Sequence, residues 1–194
     1  VKIGFEDLKG GGDKDYDDSV FTLKMGAVNT ALVSKLAVAK VVSPHDDAMQ
    51  GGDGNDTMFG MSGNDAMDGG EGNDKMWGNS GNDAMSGGAG DDDMRGGAGN
   101  DTLDGGDGND TLNGNSGDDT FVAGAGDDSY TGGSGYDTLD FSNAKNGVEV
   151  SLHAHTATGM GNDKIAGVEA VVGSAFDDKL SGDKGANTLA GAAG

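Results

Sequence analysis

From residue 51 to residue 140 the chain repeats one nine-residue unit ten times without an insertion, beginning with GGDGNDTMF at 51–59. The unit reads G-G-x-G-x-D-x-U-x, where U is large and apolar. Its fourth position is glycine throughout: Gly54, Gly63, Gly72, Gly81, Gly90, Gly99, Gly108, Gly117, Gly126 and Gly135. Its sixth is aspartate throughout: Asp56, Asp65, Asp74, Asp83, Asp92, Asp101, Asp110, Asp119, Asp128 and Asp137. The U positions are Met58, Met67, Met76, Met85, Met94, Leu103, Leu112, Phe121, Tyr130 and Leu139. A unit this short cannot bury its own apolar face, so the period demands stacking of one unit on the next, a solenoid.

Each position has a physical reason. Glycine reaches backbone angles that other residues avoid and turns a main-chain carbonyl inward with no side chain in the way. The x-U-x segment is a short strand with its middle side chain inward and its neighbours outward. One inward apolar residue per unit makes a thin core, and the composition agrees, with 40 Gly, 1 Pro and 5% aromatic residues. Such a chain is disordered unless something besides side-chain burial orders it. The charge identifies that agent. Asp and Glu number 34 against 12 Lys and Arg, a net −22. The chain repels nucleic acid and anionic membrane surfaces and attracts cations. An acidic solubilising segment has a similar balance, but it does not keep its aspartates in register. Calcium, a hard cation that takes about six to eight oxygens and accepts backbone carbonyls well, suits a loop with one aspartate and several glycines. There is no cysteine, which excludes disulfides and cysteine-based zinc or redox sites. No apolar run reaches membrane-spanning length, and the N-terminus has no basic-then-apolar signal pattern.

The ten units resemble the RTX (repeats-in-toxin) family of secreted bacterial proteins, whose nonapeptide signature they match in phase over residues 51–140. The resemblance implies an all-β fold, a right-handed parallel β-roll with two units per turn and calcium between the loops. It implies a secreted or cell-surface location, reached by type I secretion machinery without an N-terminal signal peptide. Two units per turn would put Asp56, Asp74, Asp92, Asp110 and Asp128 on one side and Asp65, Asp83, Asp101, Asp119 and Asp137 on the other. That arrangement offers about eight calcium sites, whose ions would offset roughly sixteen negative charges.

Three regions are expected: 1–48, 49–140 and 141–194. Residues 141–194 read as degenerate turns of the same roll. GMGNDKIAG at 159–167 keeps Asp163 and an inward Ile165, and GSAFDDKLS at 173–181 keeps Asp178 and Leu180. GDKGANTLA at 182–190 has Asn187 in the aspartate position, which puts a site there in doubt. GVEVSLHAH and GVEAVVG read as strands. In the N-terminal region, VKIGFEDLKGGGDKDYDDSVFTLKM reads as strand, acidic loop, strand. Asp13, Asp15 and Asp17 alternate as in the start of an EF-hand loop, but Asp18 and Lys24 stand where that loop needs Gly and Glu. The segment resembles the close of a module that precedes RTX blocks in bacterial adhesins. Its loop is either a calcium loop or a solvated acidic hairpin. Residues 29–42, NTALVSKLAVAKVV, have near-helical apolar spacing and are expected to form a short helix capping the roll. The chain begins at Val1 and ends on part of a unit, GAAG, and is expected to be a piece of a larger protein.

Catalytic patterns are missing. There is no H-E-x-x-H, and the G-x-S-G strings are one residue short of a nucleophile elbow. His153 and His155 fall on one strand face by alternation. The expected function is therefore not enzymatic: a calcium-binding structural and adhesive module of a larger secreted protein. The alternatives are the C-terminal secretion and folding module of a hydrolase or glycan-modifying enzyme with its catalytic domain upstream, and a solenoid that recognises glycan or ice. The third position of the repeat is Asp, Ser, Glu or Ala and never Thr, so the paired rows expected of an ice-binding face are missing. One outward feature stands apart. Ninth-position residues two units apart should stack, which makes Phe59, Trp77 and Arg95 one exposed column, continued by Asn113 and Thr131. Its expected partner is the 29–42 cap, or else a cell-surface glycan or protein.

Overall fold

The computed structural model describes residues 39–41 and 45–192. The described residues form an all-β solenoid of two facing sheets, with no helix among them. Consecutive units alternate between the sheets, so strands eighteen residues apart lie side by side. One sheet takes β3 (Thr57–Ser62), β5 (Lys75–Ser80), β7 (Asp93–Ala98), β9 (Thr111–Ser116) and β11 (Ser129–Ser134). The other takes β2 (Ala48–Asp53), β4 (Ala66–Glu71), β6 (Ala84–Ala89), β8 (Thr102–Asp107), β10 (Thr120–Val122) and β12 (Thr138–Asp140). Every pairing in this block is parallel and in register, with Met58 opposite Met76, Met76 opposite Met94, and Met67 opposite Met85. The inward column of each sheet is thus a column of U residues, and each of them is at most 3% exposed.

The regular strands are longer than the expected three residues. They run through the first three positions of the next unit, as TMFGMS in β3 shows, and leave only positions four to six for the turn. The first glycine of the unit therefore sits inside a strand with its α-carbon facing the core. The second position lies at positive φ in nine of the ten units, Gly124 being the exception, and its residue does not decide this. Glycine takes this freely at Gly70 (φ 104), whereas Met61 (φ 81), Asn79 (φ 76) and Asn115 (φ 74) adopt it against their side chains.

Two expectations are corrected. Residues 39–41, placed in the capping helix, are instead a strand, β1 (Ala39–Val41), parallel to β3 with Val41 opposite Phe59. An open sheet edge offers a row of unpaired N–H and C=O groups, and pairing with it outweighs weak helical spacing. The other residues of that segment, 29–38 and 42, lie outside the described residues, as does the acidic loop with Asp13, Asp15 and Asp17.

The C-terminal region is also not a simple series of decayed turns. After β12 the chain enters the first sheet two strands beyond its expected place, as β13 (Glu149–Ser151). It returns antiparallel as β14 (Thr156–Thr158) and reverses again into β15 (Asn162–Ala166), which pairs parallel with β11. It then resumes as β16 (Ala170–Val172) on β12, β17 (Lys179–Ser181) on β13 and β18 (Thr188–Ala190) on β16. His153 and His155 lie in the turn between β13 and β14 rather than on a strand face. The His155 ring Nδ1 is 3.1 Å from the carbonyl oxygen of Ile165.

Candidate metal-binding loops

The three-residue turns stack into two ladders, one on each side of the solenoid, and every sixth-position aspartate points into its ladder. All ten are buried, from fully enclosed Asp137 to 7% exposed Asp56 at the N-terminal end. Their two oxygens have different environments. Oδ1 accepts the main-chain N–H of the aspartate eighteen residues earlier. Asp56 donates to Asp74 at 2.7 Å, Asp65 to Asp83 at 2.8 Å, Asp92 to Asp110 at 2.9 Å and Asp119 to Asp137 at 2.9 Å. Asp163 joins the same ladder through the N–H of Asp128 at 3.1 Å.

Oδ2 is the opposite case. In Asp56, Asp65, Asp74, Asp83, Asp92, Asp101, Asp110, Asp119, Asp137, Asp163 and Asp178 it is buried and has no hydrogen-bond partner. A buried, unpaired carboxylate oxygen costs several kcal/mol, far too much to repeat down a ladder without a compensating cation. The first-position glycine of the same unit provides room beside it. A β-carbon on Gly60, Gly78 or Gly87 would collide with Oδ2 of Asp65, Asp83 or Asp92. The same β-carbon would stand 2.6–2.8 Å from the carbonyl oxygen of Gly78, Gly96 or Gly105 in the next turn. Carboxylate and carbonyl oxygens thus converge on a space that only glycine leaves open. No three carboxylates, imidazoles or thiols converge among the described residues. An ion here must fill most of its shell with main-chain oxygens, which fits calcium and not a transition metal.

Burial, opposed by the bond to Oδ1 and reinforced by the carboxylates of adjacent rungs, pushes Asp92 and Asp101 up to about 7. The same causes push Asp110 and Asp119 up to about 6 and Asp163 up to about 7. Asp65, Asp74, Asp83, Asp128 and Asp137 are raised as well, with burial the first cause in each. Without a cation the ladders hold more negative charge than they can keep at neutral pH.

Asp178 differs. Burial raises its carboxyl slightly, but the Ser174 hydroxyl (2.6 Å) and the Val148 N–H (2.9 Å) on Oδ1 outweigh that and hold it below the usual carboxylate range. Asn187 occupies the equivalent place in the last turn, accepting the Asp183 N–H at 2.8 Å without carrying a charge.

The repeat holds a second ladder that sequence reasoning did not resolve. The fifth-position side chain accepts an N–H from eighteen residues later, the reverse of the aspartate direction: Asn73 donates to Asn55 at 2.9 Å and Asn82 to Asn64 at 2.7 Å. The fifth position is Asn or Asp in every unit but the last, where Tyr136 stands. That restriction to short oxygen-bearing side chains was the available signal.

On the outer surface Phe59 and Trp77 stack with centroids 4.7 Å apart and planes 9° from parallel, and the Arg95 guanidinium carbon lies 5.9 Å from the indole centroid. Trp77 is thus engaged on both faces within the column.

A family model for the RTX calcium-binding nonapeptide repeat, in sets of four copies, matches residues 43–76, 68–103, 77–112, 104–139 and 165–194. No curated protein matches the chain.

Proposed function

The chain belongs to the RTX calcium-binding nonapeptide repeat family, and from that premise we propose that it is a module whose folding is driven by calcium after export, within a larger secreted protein. The observation that carries this reading is the repeated orphaned Oδ2, an oxygen whose burial makes sense only beside a cation. Asp56, Asp65, Asp74, Asp83, Asp92, Asp101, Asp110, Asp119 and Asp137 would hold the ions, with Asp163 as an outlying rung and carbonyls of the glycine turns filling the shells. Bound calcium supplies the positive charge that lets successive rungs lie close together. The glycines keep the space open, each Oδ1 fixes its carboxylate to the preceding turn, and the U column excludes water from between the sheets.

Coupling follows from mass action. A ligand that binds only the folded state stabilises it by about 2.7 kcal/mol at a hundred times its Kd, and several ions add. Extracellular calcium modules bind at about 10⁻⁴–10⁻³ M, so at cytosolic calcium the self-repelling chain stays open and threadable by a type I secretion channel. Such a rigid rod then spaces adhesive or other domains at the cell surface. Circular dichroism in millimolar calcium and in chelator tests the reading: strand signal should rise with calcium and fall sharply without it. Magnesium should not restore it, since it demands a tight octahedron and keeps its waters. A strand-rich spectrum unchanged by a strong chelator overturns the proposal.

A further inference from the structure

One rung of the regular block is built differently from the others. In nine of the ten units the first position is glycine, and in each of those nine a β-carbon would crowd Oδ2 of the unit's own aspartate. The exception is Ala123, fully buried, which carries that β-carbon. The aspartate of its unit is Asp128. Of the ten sixth-position aspartates, Asp128 is the one whose Oδ2 is not orphaned: it accepts the Tyr130 hydroxyl at 2.8 Å. Tyr130 is in turn the one U residue with a hydroxyl, and that hydroxyl also accepts the Gly124 N–H at 3.2 Å. The change extends to the Ala123 carbonyl, which accepts the Asn143 side-chain amide at 2.9 Å. In earlier units the carbonyl at this position faces the neighbouring cradle, as those of Gly78 and Gly96 do. The backbone follows suit. β10 stops at Val122, where regular strands run three residues further, and Gly124 is absent from the positive-φ residues that include Gly106 and Gly133 at the same position.

We propose that the Asp128 rung carries no calcium, and that Ala123 and Tyr130 together replace the ion there. The inference rests on the calcium reading of the other rungs. The Ala123 methyl group occupies the cradle, and the Tyr130 hydroxyl satisfies the carboxylate oxygen that an ion would otherwise bind. The ladder on that side is thereby divided, with Asp56 to Asp110 on one hand and Asp163 beyond. The break falls where the regular block meets the C-terminal region, so in the folded chain this junction is fastened by hydrogen bonds of its own rather than by an ion.

The test is an ion count by native mass spectrometry of the full chain at saturating calcium. Asp92→Asn removes an orphaned oxygen and should lower the count by at least one, whereas Asp128→Asn should keep the wild-type count. Equal losses in the two variants overturn the inference. A loss in neither overturns the calcium reading of the ladders itself. The double variant Ala123→Gly/Tyr130→Phe restores the regular pattern without deleting a ligand, so it keeps the question open to measurement even if Asp128→Asn fails to fold. It should bind one ion more than the wild type, and an unchanged count overturns the inference.

Discussion

The regular block and the region that follows it solve the same problem by different means. In residues 51–140 each unit adds one inward side chain, and the flanking glycines add none, so the core is a single file per sheet running from Met58 through Met94 to Leu112. Such a column is too thin to hold a domain together, and its loops add a buried, unpaired carboxylate oxygen at almost every rung. After residue 140 the core thickens with Phe141, Val148, Val150, Leu152, Ile165, Val168 and Val171, and the antiparallel β14 interrupts the ladder. Orphaned carboxylates thin out there to Asp163 and Asp178. The lesson is that a parallel roll can exchange apolar burial for ion binding along a single chain.

Removal of calcium is the strongest way to break the comparison. In chelator, amide exchange should become fast across β3 to β9, whose rungs lose their cations, while β13 to β16 keep substantial protection through their apolar core. Hydrogen exchange read by mass spectrometry resolves the two regions. Uniform protection, or uniform loss, in both regions would show that they are one cooperative unit and that the contrast in their cores has no energetic consequence.

Single rungs should show a smaller contrast in the same direction. Asp92→Ala, in the middle of the block, should raise the calcium midpoint of folding several-fold, because its carboxylate lies between two neighbouring rungs. Asp178→Ala should shift it less, since Asp178 is only half-buried and its Oδ1 is held by Val148 and Ser174 rather than by another aspartate rung. Equal shifts in a calcium titration followed by circular dichroism would erase the distinction between the regions.

Acid should act on the block in the calcium-free state. Asp92 and Asp101 stand at about 7 in the folded chain, above the ordinary aspartate value of about 3.9 expected when unfolded. The folded form therefore holds more protons. The stability this linkage contributes is full below about pH 4 and is lost as pH rises through about 7. In chelator, residual strand signal should be greater at pH 5 than at pH 7.5. With calcium the dependence reverses, because protons compete for the ligands, and the calcium midpoint should rise as pH falls from 7 to 5. A calcium midpoint independent of pH over that window would mean that the buried carboxylates are not the ligands.

The regular block was legible in the sequence because each role depends only on position within the unit. Asp74 and Asp92 do the same thing for the same local reason, and the eighteen-residue pairing follows from two units per turn. The family resemblance supplied that turn size, and the registers bear it out. The rest was not legible where pairing is decided at a distance. Nothing within GVEVSLHAHTATGMGNDKIAG marks β14 as antiparallel, and no propensity in LAVAK says that residues 39–41 will extend an existing sheet edge. The fifth-position ladder was visible as a composition but not as a direction of hydrogen bonding. The change at Ala123 was a single methyl group in a position otherwise reserved for glycine.

The smallest effect is expected from the outer column. Phe59 and Trp77 are stacked face to face, and Arg95 lies toward the remaining face of the indole. An aromatic pair of this kind is worth about 0.5–1.5 kcal/mol beyond its buried area. Trp77→Ala should therefore lower the melting temperature of the calcium-loaded protein by a few degrees and leave the number of bound ions unchanged. The geometry also bears on recognition. A sugar ring that stacks on tryptophan needs a free indole face, and here it would first have to displace Arg95, which is itself held by Asp93 at 3.5 Å. Arg95→Ala separates the two roles. It exposes one face of Trp77 while leaving the Phe59 stack in place, so a column that only braces the sheet should lose little stability and gain no ligand. Oligosaccharide binding that depends on Trp77 and strengthens in Arg95→Ala would instead make the column a recognition surface partly closed by its own arginine. Trp77 is the only tryptophan in the chain, so its emission follows either outcome directly.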